Sequence, residues 1–306
     1  MSENIDLPRL IQEFGSEDKC RAFLEDLRWP DGIECPRCQS KKISRIVKRP
    51  QFDCDSCRYQ FSAKAGTVFN DSHLPLWKWF LAVYIMVESK KGVSANQLMR
   101  MLGVSYKTAW YLCHRIRQAM AFGNHAEPKL TGTVEMDDTR VGGKAQKWRP
   151  TPKKAYVAGI VERDGRLRLT VVSDLSISSL KGAVVKNVSK DIDLIITDEW
   201  AAYVNAIGKT YKKRFQRIKH KKVYARMDPI LGNINTNSIE NAFSLLKRGI
   251  MGSWHHISAK HLQAYLDEMS YRFSERDNPR LFVDTIANLL AADPITFKKL
   301  TKKKAA

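Results

Sequence analysis

The residue types in this chain best suited to chemistry are three acids and four cysteines. Asp137, Asp198 and Glu240 are separated by intervals of 61 and 42 residues. Among 32 acidic residues such intervals select nothing by themselves; the settings do. Asp137 lies in the alternating stretch TVEMDDTRV, Asp198 just past the short apolar run DLIIT, and Glu240 in a late segment with helical spacing. Acids are disfavoured on strands, and open α/β sheets place ligands at the carboxyl ends of their strands. Three converging carboxylates would hold hard cations such as Mg²⁺ or Mn²⁺ through oxygen. Two such ions about 3.5–4 Å apart could activate a nucleophile and stabilise a leaving oxygen at phosphorus. Each position keeps an alternative. Asp138 competes with Asp137, although period-two alternation sets Asp137 with Glu135 and away from Val134 and Met136. Asp198 could be a helix N-cap alone. Glu240 and Lys247, two turns apart on one helix side, could grip metal and phosphate together or be surface charges.

The cysteines are more specific. Cys35-x-x-Cys38 and Cys54-x-x-Cys57 have 15 residues between the pairs, while Cys20 and Cys113 stand alone in apolar settings. Two such knuckles supply four thiolates tetrahedrally to one Zn²⁺. A closed four-sulfur site is structural, and its ligation folds a unit too small to build its own core. The competing reading, two disulfides, is weak for a chain without a visible secretory signal. Lys41, Lys42, Arg45, Lys48 and Arg49 lie between the knuckles, so the ribbon is expected to touch nucleic acid as well.

The elements that must carry these residues follow from spacing and punctuation. A helical lead-in over 1–30 precedes a ribbon over 31–70, with Phe52, Tyr59 and Phe61 as its small core. Residues 75–122 are helical. Ser94 can cap a helix through Leu102, Gly103 permits the left-handed turn that stops it, and Ser105 can cap the next. Helix, short glycine-containing turn and helix make a helix-turn-helix pattern. Its second helix offers Tyr106, Lys107, His114, Arg115 and Arg117 to a groove or to phosphates; an ordinary helical hairpin is the plainer reading. Residues 123–132 read as a linker. Strands follow at 133–141, 155–162 and 167–173, with the Asp164-Gly165 turn between the last two. A helix at 176–189, a buried strand at 193–197, a helix at 199–207, a weak strand at 223–225, and helices at 236–249 and 261–273 complete an α/β pattern over 130–276. Residues 277–306 are expected to form a C-terminal helix and basic tail.

Lys plus Arg total 52 against 32 Asp plus Glu, a net charge of +20 with pI near 9.7. So basic a surface attracts polyanions, nucleic acid first. Residues 209–222 hold eight basic residues in fourteen and no acid. Lys212, Lys213 and Arg214 there are expected to follow phosphates, with Tyr211 and Phe215 free to stack on bases. A second basic loop spans 147–154 around Trp148. His255 and His256 suggest packing or phosphate contact rather than a metal. No apolar run approaches the ~18 residues of a membrane span.

Taken together, TVEMDDTRVGGK, IITDEWAAY and the segment from NTNSIENAFSLLKRG to SYRFSER resemble the three catalytic blocks of the ISXO-type insertion-sequence transposases, a DDE family. The ribbon and helix-turn-helix match that family's amino-terminal half, and the resemblance covers about residues 15–276. It implies an RNase H-like core with a mixed sheet, carrying Asp137 on its first strand, Asp198 on its fourth and Glu240 on a late helix. It also implies two catalytic Mg²⁺ or Mn²⁺ ions, and Lys247 as a contact to transposon-end DNA. Asp138 stands where relatives often have Glu, and Arg140 where an aromatic is common. Asn237 is a minor alternative third residue. The implied activity is cleavage at the element's terminal inverted repeats and strand transfer into target DNA, by a homodimer or larger assembly in the cytoplasm, at the bacterial nucleoid. Two rivals differ in class: a non-catalytic ribbon and helix-turn-helix regulator, and an RNase H-like nuclease that cuts without joining.

Overall fold

The computed structural model describes residues 5–142, 154–163, 165–198, 200–208, 211, 215–217 and 236–302. The chain forms two compact units, Met1–Gly123 with Asp277–Ala306, and Asn124–Arg276. Among the described residues no helix is long and apolar enough to cross a membrane.

The first unit opens with helices α1 (Leu7–Phe14) and α2 (Glu17–Arg28), each capped by an acceptor side chain. Asp6 takes the Arg9 amide at 2.8 Å and Ser16 the Lys19 amide at 3.3 Å. Three short antiparallel strands follow, β1 (Ile43–Ile46), β2 (Gln51–Cys54) and β3 (Gln60–Phe61), in that spatial order. Phe52 and Phe61 are buried between them, and Trp29 meets both rings edge-on. Tyr59 stacks on Phe61 at 6.0 Å. After α3 (Leu76–Glu88) come α4 (Ala95–Leu102) and α5 (Tyr106–Ala126). Ser94 accepts the Gln97 amide at 3.1 Å, Gly103 sits at φ 59°, and Ser105 accepts the Thr108 amide at 3.2 Å. The helix Leu281–Ala291 belongs to this unit's core. Phe282 lies 5.8 Å from both Phe14 and Phe80, and the Leu289 carbonyl accepts the Val68 amide.

The second unit is built on a mixed five-stranded sheet. Its strands are β4 (Thr133–Val141), β5 (Ala155–Glu162), β6 (Leu167–Val172), β7 (Leu194–Thr197) and β8 (Phe215–Arg217), in the order β6-β5-β4-β7-β8. The first three pair antiparallel. β7 is parallel to β4, and β8 to β7. A parallel return needs a crossover, supplied here by α6 (Ile177–Asn187), which Ser176 caps. β7 runs into α7 (Ala201–Tyr203) and a π-turn at Val204–Gly208, where the sequence predicts one helix. β8 was not expected: its three residues fall inside the run read as a basic loop. The strand expected at 223–225 lies outside the described residues.

Alternation along β4 sends its side chains to two cores. Val134 and Met136 pack with Ala158 and Ile160 against Leu180, Val184, Tyr203 and Ile207. On the opposite face Val157, Val161 and Leu169 meet Ile239, Phe243 and Leu246 of α8 (Asn237–Gly249), and Leu262 and Leu266 of α9 (Leu262–Ser274), which lies directly against β6. Helices therefore cover both faces of the sheet, as an α/β domain requires.

Candidate active site and metal centre

The odd positions of β4 fix the site. Glu135 and Asp137 point to the α8 face, while Asp138 points to the other, where it accepts the Tyr203 hydroxyl at 2.7 Å. Tyr203 is fully buried there. Burial, then that bond to an acid, raises its phenol above the ordinary range. Period two thus decides between the neighbouring acids in favour of Asp137 as the one that shares a face with α8.

Gly159 lets the helix approach. It pairs with Asp137 across β4 and β5. A Cβ built on it would lie 2.7 Å from Ile239 Cδ1 and 2.7 Å from Phe243 Cζ, two residues of α8. A glycine inside a strand marks such a close approach. Gly159→Ala should cost about 1–3 kcal/mol of unfolding free energy, the usual range for overpacking. A denaturant titration that leaves stability unchanged would show that α8 does not sit on this strand.

The three acids occupy neighbouring places. β7 pairs with β4 through Val134↔Ile195 and Glu135↔Ile196. Continuing that register two residues brings Asp198 level with Asp137. Asp198 is half-buried, and its carboxylate accepts the Trp200 amide at 3.1 Å, closing the turn that leads to α7 rather than capping the helix itself, which starts at Ala201. Glu240, exposed on the first turn of α8, accepts the Thr236 hydroxyl at 3.2 Å. The Asp137 carboxyl is pushed up to about 6. Burial is the main cause, and the charges of Asp138, Asp198 and Glu240 add to it, while a 2.8 Å bond from the Asp138 amide opposes them. The folded protein therefore keeps a proton that the unfolded chain, with the ordinary carboxyl value of 3.8, has lost. Between about pH 4 and 6 the unfolded state binds fewer protons, so this group's contribution to stability falls as pH rises. Asp137→Asn should raise the melting temperature of metal-free protein at neutral pH and leave it unchanged near pH 4; equal shifts at both would contradict the assignment.

The ribbon's cysteines are drawn closer. Among the described residues, Cys35, Cys38, Cys54 and Cys57 are the group of metal-ligating side chains whose ligand atoms all fall within 4.8 Å of one another. Among the described residues the three carboxylates do not form such a group. Cys35 and Cys57 Sγ are 3.7 Å apart, Cys38 and Cys54 Sγ 3.5 Å, and none is in a disulfide. A tetrahedron with metal–sulfur bonds of about 2.3 Å has sulfurs roughly 3.8 Å apart, so the four thiols fit one Zn²⁺. The two knuckles repeat one geometry. Gln39 and Arg58, each following the second cysteine of its pair, have φ of 60° and 57°, and each donates its amide to the first cysteine's carbonyl at 2.8 Å.

The expected DNA contacts separate by burial. Lys107 is exposed on α5, with its ammonium 4.7 Å from the Phe297 ring, and Lys247 is exposed on α8. Arg115 and Arg117 are not on a surface: they are 4% and 2% exposed. Arg115 donates to the carbonyls of Val68 and Asn70 and lies over the Trp79 ring. Two residues apart, the arginines lie on opposite sides of α5, but the helix is buried all round from Leu112 to Arg117, so the expectation that they reach DNA fails for this conformation. Tyr211, offered for base stacking, is buried in the core beside Tyr203. Trp254 packs edge-on against Tyr265, and His255 and His256 are exposed. Lys212, Lys213, Arg214 and the basic loop at 147–153 lie outside the described residues. Sequence reasoning missed Glu135, Gly159 and Tyr203. Only the glycine inside the strand AYVAGIVE carried a usable signal.

Comparison with known proteins bears on this arrangement. Residues 129–274 match the model of the ISXO2-like transposase domain, and residues 15–60 that of the transposase zinc-ribbon domain. A protein of Halobacterium salinarum named "Uncharacterized protein in transposable element ISH50" is 34% identical over 131 residues, 42% of this chain and 43% of that one. The chain thus spans less than half the length of that relative. Two solved structures overlap loosely. The Mos1 strand transfer complex has a TM-score of 0.29 at 11% identity, over 69% of this chain and 75% of that one. The Mos1 mariner paired end complex with Mn has a TM-score of 0.27 at 10% identity, over the same shares. Overlaps so slight do not bear on function. The family models do: residues 129–274, with the sheet, α8 and the three acids, belong to the ISXO2-like transposase domain family, and residues 15–60 to the transposase zinc-ribbon family.

Proposed function

We propose that the protein is the transposase of an insertion sequence, cutting at the element's terminal inverted repeats and joining the freed 3′ ends to target DNA. The observation that carries this reading is the gathering of Asp137, Asp198 and Glu240 on the α8 side of the sheet, each acid raising the proton affinity of Asp137. The antiparallel β6-β5-β4 edge followed by parallel β7 and β8 is the order an RNase H-like core has. The match of residues 129–274 to a transposase family model supports the same activity.

The three carboxylates are the ligands we assign to a pair of Mg²⁺ or Mn²⁺ ions. When bound, these would supply Lewis-acid activation of the attacking oxygen and charge stabilisation of the leaving one. The chain's own part is positional. Asp137 on β4 and Asp198 just past the end of β7 stand level, and α8 brings the third acid to the same side. Phosphoryl transfer depends mostly on such positioning and on charge stabilisation. Lys247, seven residues beyond Glu240 on α8, is placed to meet the phosphate backbone of the element end. The zinc ribbon and the α4–α5 helix-turn-helix, with Lys107 on its exposed face, are the parts we assign to reading double-stranded DNA. Two ends must be held together, so the working form is a dimer or larger.

The test is a strand-transfer assay with labelled element ends and a supercoiled target, in Mg²⁺ or Mn²⁺. Joined product supports the proposal. Cleavage without joining supports a nuclease, and a mobility shift without any metal-dependent product supports a DNA-binding regulator.

A further inference from the structure

Glu135 is not among the proposed ligands, yet it is fully buried and its carboxylate accepts four hydrogen bonds. Three come from the first turn of α8: the Ser238 amide at 2.8 Å, the Ile239 amide at 3.1 Å and the Ser238 hydroxyl at 3.0 Å. The fourth comes from Arg163 Nε at 3.2 Å, just past β5. A helix's first amides lack partners within the helix, and the residue before α8, Thr236, does not cap them with its side chain. A carboxylate also suits the positive end of a helix. Buried charge is tolerated when it is paired and hydrogen-bonded, and here every partner but Arg163 belongs to one helix end.

Glu135 lies two residues before Asp137 on β4, and Ser238 two residues before Glu240 on α8. One buried carboxylate thus ties the strand of the first acid to the helix of the third, at the same interval from each. We infer that Glu135 is a positioning residue: it sets where Glu240 stands relative to Asp137, and hence how the acids are spaced for cations. The inference rests on the triad assigned above. Gly159 permits the helix to approach the strand, and Glu135 fixes how far along the strand it sits.

The experiment titrates Mn²⁺ against the full chain, reading free Mn²⁺ by electron paramagnetic resonance alongside end cleavage, in wild type, Glu135→Ala, Glu135→Gln, Ser238→Ala and Leu180→Ala. Leu180 belongs to the opposite core of the same unit, so its variant reports general destabilisation. Glu135→Ala should raise the half-saturating Mn²⁺ concentration about tenfold or more, as loss of an orienting group around metal ligands does. Glu135→Gln keeps an acceptor oxygen for the two amides and should recover most of that shift. Should Glu135→Ala fail to fold, Ser238→Ala, which removes the hydroxyl but keeps both amides, carries the test with a shift of roughly threefold. Leu180→Ala should lower the melting temperature without moving the Mn²⁺ midpoint. Glu135 and Ser238 variants with the wild-type midpoint, or a shift that Leu180→Ala reproduces, would overturn the inference alone. Wild-type protein that cuts nothing at any Mn²⁺ concentration would overturn the transposase reading itself.

Discussion

Asp198→Asn protein is expected to bind element ends as wild type does and to cut them on the order of a hundred- to a thousandfold more slowly, the loss typical when one preorganised electrostatic group is removed. The substitution is a clean one because of what Asp198 does locally. Its carboxylate accepts the Trp200 amide, and an asparagine oxygen can take that bond, so the turn after β7 survives. Asp137→Asn keeps an acceptor for the Asp138 amide in the same way, and Glu240→Gln keeps one for the Thr236 hydroxyl. All three therefore remove charge while sparing the local structure. Because the acids act as a unit, a double substitution should cost little more than a single one. Melting temperatures near or above wild type alongside abolished cleavage would be the signature of acids held against their mutual repulsion. A variant that retains cleavage within a few-fold of wild type would remove its residue from the site.

The second large effect concerns the ribbon. Its strands are four, four and two residues long, and its core is essentially Phe52, Phe61 and Trp29. Units so small seldom fold on apolar burial alone. Zinc ligation by four cysteines is worth on the order of 10 kcal/mol or more, comparable to the whole stability of a domain. A strong chelator, or Cys54→Ala, should therefore abolish hydrogen-exchange protection over residues 43–61 in the full chain. The ladder between β4 and β5 should stay protected, since it belongs to the other unit. Affinity for element ends should fall with the ribbon. Ribbon amides that remain protected in excess chelator would show that the thiols close on one another without needing an ion.

What could be read from the residues alone divides by how local the physics is. The knuckles, the Ser94 and Ser105 caps, the Gly103 turn and the alternation of β4 are settled within a few residues, and each is found where spacing put it. Alternation even separated Asp137 from Asp138. Long-range partnerships left no such trace. Alternation put Glu135 on the face of Asp137 but gave it no role, because its partners lie about a hundred residues away, at Ser238 and Ile239. Arg115 and Arg117 looked like phosphate contacts because a basic residue on a helix reads the same whether it meets DNA or the protein's interior, as Arg115 meets two carbonyls and Arg117 is buried. β8 was hidden because a strand of three residues rich in Arg and Gln has no apolar period, and only its pairing with β7 makes it one. The helix at Leu281–Ala291 was legible as a helix, but not as part of the first unit's core.

That return of the chain has a consequence for synthesis. Phe282 and Leu289 complete a core whose other members, Phe14, Val68 and Phe80, are made more than two hundred residues earlier. On the ribosome, where domains ordinarily fold in the order they emerge, the unit holding the three acids has all of its residues before the unit holding the ribbon does. A nascent chain interrupted near residue 276 would present a finished sheet in one unit and, in the other, an apolar surface still lacking its last two helices, Leu281–Ala291 and Phe297–Thr301.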